Sequence, residues 1–405
     1  MVLIKKIDIL SYNKIKNIKL YISNIIMTSA NTDFKCYALP IIEKDRNLIL
    51  GSSFDFNISA YTAQPLCSLG YNYFMHQSYT NFDKKIKETG NKTYYWVVNS
   101  NEILLTNPEN RDDLLNGLKK YFDKEKVREE VLTNPIFLQI WELLLVHDLL
   151  DAKSNKINMI SNHGEVVKEV LNGFSKKIYK KETISFTDKG YDLGIFTFDN
   201  FMTVTEQEPH YFPIMMQNIN KLLHGLKPSG SLIININDTF TQPTAKLISL
   251  LVCLFDTVFI HKPTYVRLSS SEKYLVCVGL SEKSYNMVSK KLDKLMEKLV
   301  TIKMEQITDI MTDIHIPREM MIGLSYVNKK IATNQHKYEN KIMTYINSEE
   351  HFGEVYNEYS DIQIASTDYF VSTFLPIDST DYVEVLKKIK ERLTDNCNSM
   401  KSQKN

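Results

Sequence analysis

Apolar positions along the chain fall into three textures. In residues 1 to about 125 they form short alternating runs, Ile7–Ile9, Lys19–Tyr21, Cys36–Ile41 and Tyr94–Val98, separated by Asn-, Ser- and Asp-rich turns. That pattern predicts strands. From about 130 to 283 the period switches back and forth. Pro135–Leu150 (PIFLQIWELLLVHDLL), Glu165–Leu171, Tyr211–Leu226 and Thr244–Phe255 predict helices, and Lys156–Ile160, Leu193–Phe198, Leu232–Ile236, Val258–His261 and Lys273–Leu280 predict strands. Lys227-Pro228-Ser229-Gly230 predicts a helix stop followed by a tight turn. Beyond 283, Met287, Val288, Leu292, Leu295, Met296 and Leu299 recur at helical steps, and the tail Thr394–Asn405 is polar.

Strands that are apolar throughout and alternate with helices need cover on both faces. The fold class that follows is α/β, a doubly wound sheet over residues 126–283. A β-rich N-terminal extension (1–125) precedes it and a mostly helical C-terminal extension (284–405) follows it. In such sheets ligands bind outside the carboxyl ends of the strands at the switch point. Asn162–Gly164, Asp199 and Asn235 should therefore ring one crevice.

Composition narrows the function. Lys+Arg 49 against Asp+Glu 48 leaves a net charge of +1, so no whole-molecule field draws the protein onto nucleic acid. The apolar stretch Leu247–Phe255 is too short for a membrane span of about 20 residues, and Met1–Leu10 lacks the pattern of a signal peptide. Five scattered cysteines without CxxC spacing argue against a disulfide framework or structural zinc, so no metal is expected and a reducing, cytoplasmic setting fits. Glycine is scarce, 13 of 405, where close backbone approach to a nucleotide needs it.

The segment Leu226–Leu280, with Lys262-Pro263, Arg267 and Ser269-Ser270-Ser271-Glu272 before Tyr274, resembles the second half of FtsJ-like (RrmJ-like) RNA 2′-O-methyltransferases. Gly190–Asp199 resembles that family's strand ending in Asp, Pro135–Leu143 its helix carrying Lys-Leu-x-Glu, and Met159–Val167 its Gly-rich cofactor loop. Phe74-Met75-His76 and Tyr95–Asn99 look like the N-terminal extension of FtsJ-like proteins from large DNA viruses. The resemblance implies a Rossmann-like methyltransferase sheet, S-adenosylmethionine as methyl donor, and a ribose 2′-hydroxyl, often in an mRNA cap, as acceptor. A Lys-Asp-Lys-Glu tetrad then removes the hydroxyl proton.

Carried onto this chain, the tetrad falls on Gln139, Asp199, Asn235 and Glu272. Both acids remain and both lysines are amides, which cannot serve as a base near neutral pH. Lys262 matches the family's ordinary Lys-Pro, and Lys273 should point to the opposite face from Glu272. The cofactor loop reads Ser161-Asn162-His163-Gly164-Glu165, with Gly164 alone surviving and Glu165 placing a carboxylate at the approach point. His163 reads as a turn residue, and His76 and His147 as packed or surface histidines. Lys176–Lys181 with Tyr179 is either a solvated face or a phosphate-binding, base-stacking run. Arg267, one of six arginines, and Ser271 are the substrate-side candidates. Three functions remain open. They are a degenerate fold serving as a binding or scaffold subunit in viral RNA processing, in contact with RNA or with an active capping or processing enzyme; an active 2′-O-methyltransferase with an altered base; and a virion structural protein.

Overall fold

A computed structural model describes residues 24–27, 34–40, 42–59, 65–66, 69–90, 93–101, 115–116, 118–122, 127–132, 134–198, 207–299, 306–348 and 353–375. In chain order the elements are β1 (Asn24–Met27), β2 (Phe34–Ala38), α1 (Arg46–Gly51), β3 (Phe56–Ser59), α2 (Leu69–Glu88), a 3₁₀ turn (Thr93–Val98), α3 (Glu129–Leu132) and α4 (Pro135–His147). Then come β4 (Asn155–Ser161), α5 (Gly164–Tyr179), β5 (Ile184–Phe186), β6 (Tyr191–Thr197), α6 (Gln207–Gly225), β7 (Leu226–Ile236), α7 (Gln242–Leu254), β8 (Phe255–Lys262) and β9 (Lys273–Leu280). The last are α8 (Glu282–Leu299), β10 (Gln306–Ile310), α9 (Arg318–Ser348) and α10 (Glu354–Phe374).

Eight strands form one mixed sheet in the order β1-β2-β8-β9-β7-β6-β4-β5, and β10 pairs with β3 in a separate two-stranded ribbon. β5, β4, β6 and β7 run parallel, whereas β9 lies antiparallel between β7 and β8. The expected doubly wound α/β architecture is therefore present. The sheet reaches into the N-terminal region, because β2 adds antiparallel to β8.

Alternation along each strand assigns the two faces. On β7, Leu232, Ile234 and Ile236 join a core with α6, α7, α8 and α9, while Ile233 joins a second core with α4, α5 and α10. α4 is apolar all round, and ten consecutive residues from Phe137 to Val146 are buried, as a central helix demands. Its start is set by Asn134, whose side chain accepts from the Ile136 N–H at 3.0 Å, with Pro135 in the first turn. Trp141 packs among Phe122, Phe137 and Phe174 and donates its indole N–H to the Phe374 carbonyl at 2.6 Å, fastening α10 to this core.

Two local expectations fail. Tyr94–Val98 is a 3₁₀ turn, not a strand. Tyr95, Val97 and Val98 are instead buried in a small satellite core with α2 and α9. Lys227–Gly230 is no turn between helix and strand. It lies inside β7, where the pairing with β6 skips from Tyr191↔Leu226 to Leu193↔Ser231 and Ser229 takes φ 62°. The helix stops earlier, at Gly225. A Cβ there would strike the Tyr191 ring and stand 2.5 Å from the Asp188 carbonyl oxygen. Backbone cannot swing aside, so Gly225→Ala should lower unfolding free energy by about 2 kcal/mol in urea denaturation. The runs Ile7–Ile9 and Lys19–Tyr21, and the tail from Thr394, lie outside the described residues. Among the described residues no helix is long and apolar enough to cross a membrane.

Candidate functional site

The carboxyl ends of the parallel strands meet β9 at one edge. Four cross-strand partners share the face covered by α4: Asn235 on β7, Tyr274 on β9, His261 on β8 and Cys36 on β2. α4 lowers polar groups onto this row. Gln139 donates from Nε2 to the Tyr265 carbonyl at 2.9 Å and accepts at Oε1 from the Tyr274 hydroxyl at 2.6 Å. Asn235 donates from Nδ2 to Glu272 Oε1 at 2.8 Å, and its own carbonyl accepts from the Tyr211 hydroxyl at 3.0 Å. Both amides are thus buried and engaged within the protein.

Asp199 lies outside the described residues, as do residues 200–206. At the β4–α5 turn, the Ser161 hydroxyl contacts the Thr197 hydroxyl at 2.5 Å and accepts from the His163 N–H at 2.9 Å. His163 is the residue preceding α5 and makes no side-chain cap, in keeping with a turn residue. Asn162 is exposed. Gly164 opens the helix with no neighbouring atom within 4 Å of its would-be Cβ. The exposed Glu165 carboxylate leans 3.3 Å from the Arg128 guanidinium, which also holds Glu169 at 2.5 Å.

The segment 263–272 is cinched by two lysines. Lys262 donates to the carbonyls of Ser270 (2.5 Å) and Glu272 (3.2 Å), and Lys273 to those of Asn237 and Ser271 (3.2 Å to the latter). Burial pushes the Lys262 amine well below the usual lysine range. Lys35 and Lys273 add repulsion, against the opposing pull of Glu272 and Asp238. Burial takes Lys273 down to about 8, opposed by Asp238 and Glu208. Sequence alone leaves these lysines unconnected with the tetrad. The fold brings Lys262 to the Glu272 backbone because β8 and β9 are antiparallel neighbours whose ends meet here. Glu208 lies alongside, its carboxylate accepting from the N–H groups of Phe240 (2.8 Å) and Thr241 (3.0 Å), and burial raises its pKa.

Arg267 is exposed and stacks over the Trp96 indole, 4.4 Å from the ring centroid. Ser271 is half-buried, its carbonyl taken by Lys273. The basic run is engaged internally. Lys176 pairs with Glu182 at 2.8 Å, Lys177 donates to the Tyr121 carbonyl at 2.5 Å, and the Tyr179 hydroxyl donates to the Leu150 carbonyl at 2.6 Å. Tyr179 is half-buried, with its ring set edge-on to Phe174 at 6.1 Å between centroids. His147 is brought beside His261 and Cys36, a grouping with metal-ligand spacing that the widely separated sequence positions conceal. His76 lies within α2.

No protein-family profile matches the chain. It is 23% identical over 268 residues to an uncharacterized protein of Acanthamoeba polyphaga mimivirus, covering 65% of this chain and 70% of that one. A cap-specific mRNA (nucleoside-2′-O-)-methyltransferase of Autographa californica nuclear polyhedrosis virus is 27% identical over 106 residues, 26% of this chain and 40% of the enzyme. The baculovirus match, though partial, supports a methyltransferase relationship. An inactive cap-specific mRNA (nucleoside-2′-O-)-methyltransferase 1B of Caenorhabditis briggsae matches at 31% over 78 residues, 19% of this chain. The chain spans less than half the length of the baculovirus relative and 9% of the nematode one. The methyltransferase-like core carries the polar row under α4, and the second candidate position of that row, Asn235, sits where β7 ends.

Proposed function

We propose that the chain is a degenerate FtsJ-like RNA 2′-O-methyltransferase fold that works as a binding or scaffold subunit in viral RNA processing, beside an active capping or processing enzyme. One observation carries this reading: at both positions of the tetrad lysines stand amides whose polar atoms are bound inside the protein. Attack of a ribose hydroxyl on a sulfonium methyl needs a proton acceptor, and an amide nitrogen is not one. Asn235 preserves the contact with Glu272 that an ammonium would make, but not its chemistry. The nematode relative named as inactive is consistent with such loss.

S-adenosylmethionine, the family's methyl donor, would meet the β4–α5 turn. There the Ser161 hydroxyl is committed to Thr197 and His163, and only Gly164 leaves room for close approach. Glu165 sets a carboxylate beside it. These residues make a poorer cradle for the cofactor than a Gly-rich loop, and no methyl-transfer step is assigned to the chain. RNA contact is assigned to Arg267, held flat by Trp96.

The test is incubation of purified protein with capped RNA and labelled S-adenosylmethionine. No label should reach ribose, and saturating cofactor should leave the melting temperature unchanged. RNA affinity should fall with salt and drop about fivefold in Arg267→Ala. Affinity indifferent to salt and to Arg267→Ala would leave the virion structural reading. A second reading, an active enzyme with an altered base, is favoured by the depressed amine of Lys262 beside Glu272. Label transfer that disappears in Lys262→Met would establish it.

A further inference from the structure

We propose that Cys36, His147 and His261 form a site for a thiophilic d10 cation, zinc(II) or copper(I), which pins the N-terminal strand β2 to the methyltransferase-like sheet. Each residue comes from a different element: β2, the last residue of α4, and β8. One ligand atom from each lies within 4.8 Å of the others. A single ion about 2.0–2.3 Å from each would need the sulfur drawn in and the two ring nitrogens, 2.9 Å apart, parted slightly. Thiolate with imidazole is a donor set suited to these ions and unsuited to magnesium or calcium.

Two further features point the same way. His147 Nε2 faces His261 Nδ1 at 2.9 Å, so the two rings already present nitrogens to a common point. The remaining nitrogen of His261, Nε2, is 3.1 Å from Glu142 Oε1, and Glu142 Oε2 accepts from the Thr264 N–H at 2.9 Å. A carboxylate on the far side of a ligating imidazole fixes the ring's orientation and tautomer and raises its basicity, the usual arrangement behind metal-bound histidines. One zinc ion, one thiolate and the Glu142 carboxylate also sum to zero charge, which suits a place where His261 and Glu142 are fully buried. Copper(I) with the thiolate and the same carboxylate would leave one negative charge, so the charge count favours zinc(II).

The alternative is a dry hydrogen-bonded chain, Glu142–His261–His147, with Cys36 as an apolar filler. The experiment uses the full chain, stripped with a chelator under reducing conditions. It is titrated with zinc sulfate, with copper(I) held by a chromophoric competitor, and with cobalt(II) as a spectroscopic stand-in. Expected are one equivalent bound per chain, a rise in melting temperature on saturation, and a thiolate-to-cobalt charge-transfer band. Cys36→Ser should abolish the band and weaken binding at least tenfold. Glu142→Gln should keep the band and the stoichiometry while weakening binding about 10- to 100-fold. The zinc and copper arms decide which ion is preferred. Absence of the cobalt band in the unaltered chain, or equal uptake by folded Cys36→Ser, overturns the proposal, and the former needs no variant to fold.

Discussion

Gln139→Leu is expected to destabilise the protein by about 3 kcal/mol, because two buried polar groups lose their partners at about 1–3 kcal/mol each. Gln139 is only 4% exposed, and its amide satisfies the Tyr265 carbonyl on one side and the Tyr274 hydroxyl on the other. Leucine fills much of the same volume, so the loss is chiefly electrostatic desolvation and not a cavity. Adding Tyr274→Phe should recover part of the cost, since removing both partners of a buried hydrogen bond costs less than removing one. Urea denaturation of the two single variants and the double variant measures both quantities. A Gln139→Leu chain within 1 kcal/mol of the original would mean the amide is not a structural staple, and the degenerate-site reading would lose its main support.

The second large effect is a pH dependence set by Glu339. This residue of α9 is fully buried, accepting from Gln335 Nε2 at 2.9 Å and from the Ser78 hydroxyl at 3.3 Å, while that hydroxyl also contacts His336 Nδ1 at 2.7 Å. Burial raises its pKa from 4.5 to about 7, against the opposing hydrogen bonds of Gln335 and Ser78. Between these two values the folded chain holds a proton that the unfolded chain has released. Stability is therefore fully present below pH 4.5 and falls as pH rises toward 7, by up to about 3 kcal/mol. Glu339→Gln removes this one ionisation, so its stability should fall less steeply with pH over that window than the original chain's, and should exceed that of the original chain at pH 8. Chemical denaturation at pH 4.5, 6 and 8 gives the slopes. Parallel profiles for the two proteins would show that Glu339 ionises in the folded state as readily as in the unfolded one.

Much of the sheet was legible because its strands are apolar on both faces and its helices carry their own stops. β9 spans Lys273–Leu280 as periodicity predicts, and α4 begins at Pro135, where the asparagine–proline start signal stands. Tyr94–Val98 misled because an apolar run has the same appearance in a strand as in a 3₁₀ turn that buries three of its residues. Lys227–Gly230 misled because turn-forming residues also make bulges within a strand, and only the pairing with β6 tells the two apart. At the candidate site, the amide side chains of Gln139 and Asn235 could be read from residue identity. That these amides are engaged could not, since their partners Tyr265, Glu272 and Tyr274 are supplied by the β8–β9 connection and by β9, far along the chain.

Sequence by itself determined the layered α/β architecture and the amide chemistry of residues 139 and 235, because burial periodicity and side-chain identity are properties of single residues and their near neighbours. Tertiary structure alone decided which polar groups meet. The row Asn235, Tyr274, His261 and Cys36 exists only through the register of four strands, and the pairing of His147 with His261 only through the seating of α4 on that register. Register depends on long-range hydrogen bonding across the sheet, and no local pattern in the chain encodes it.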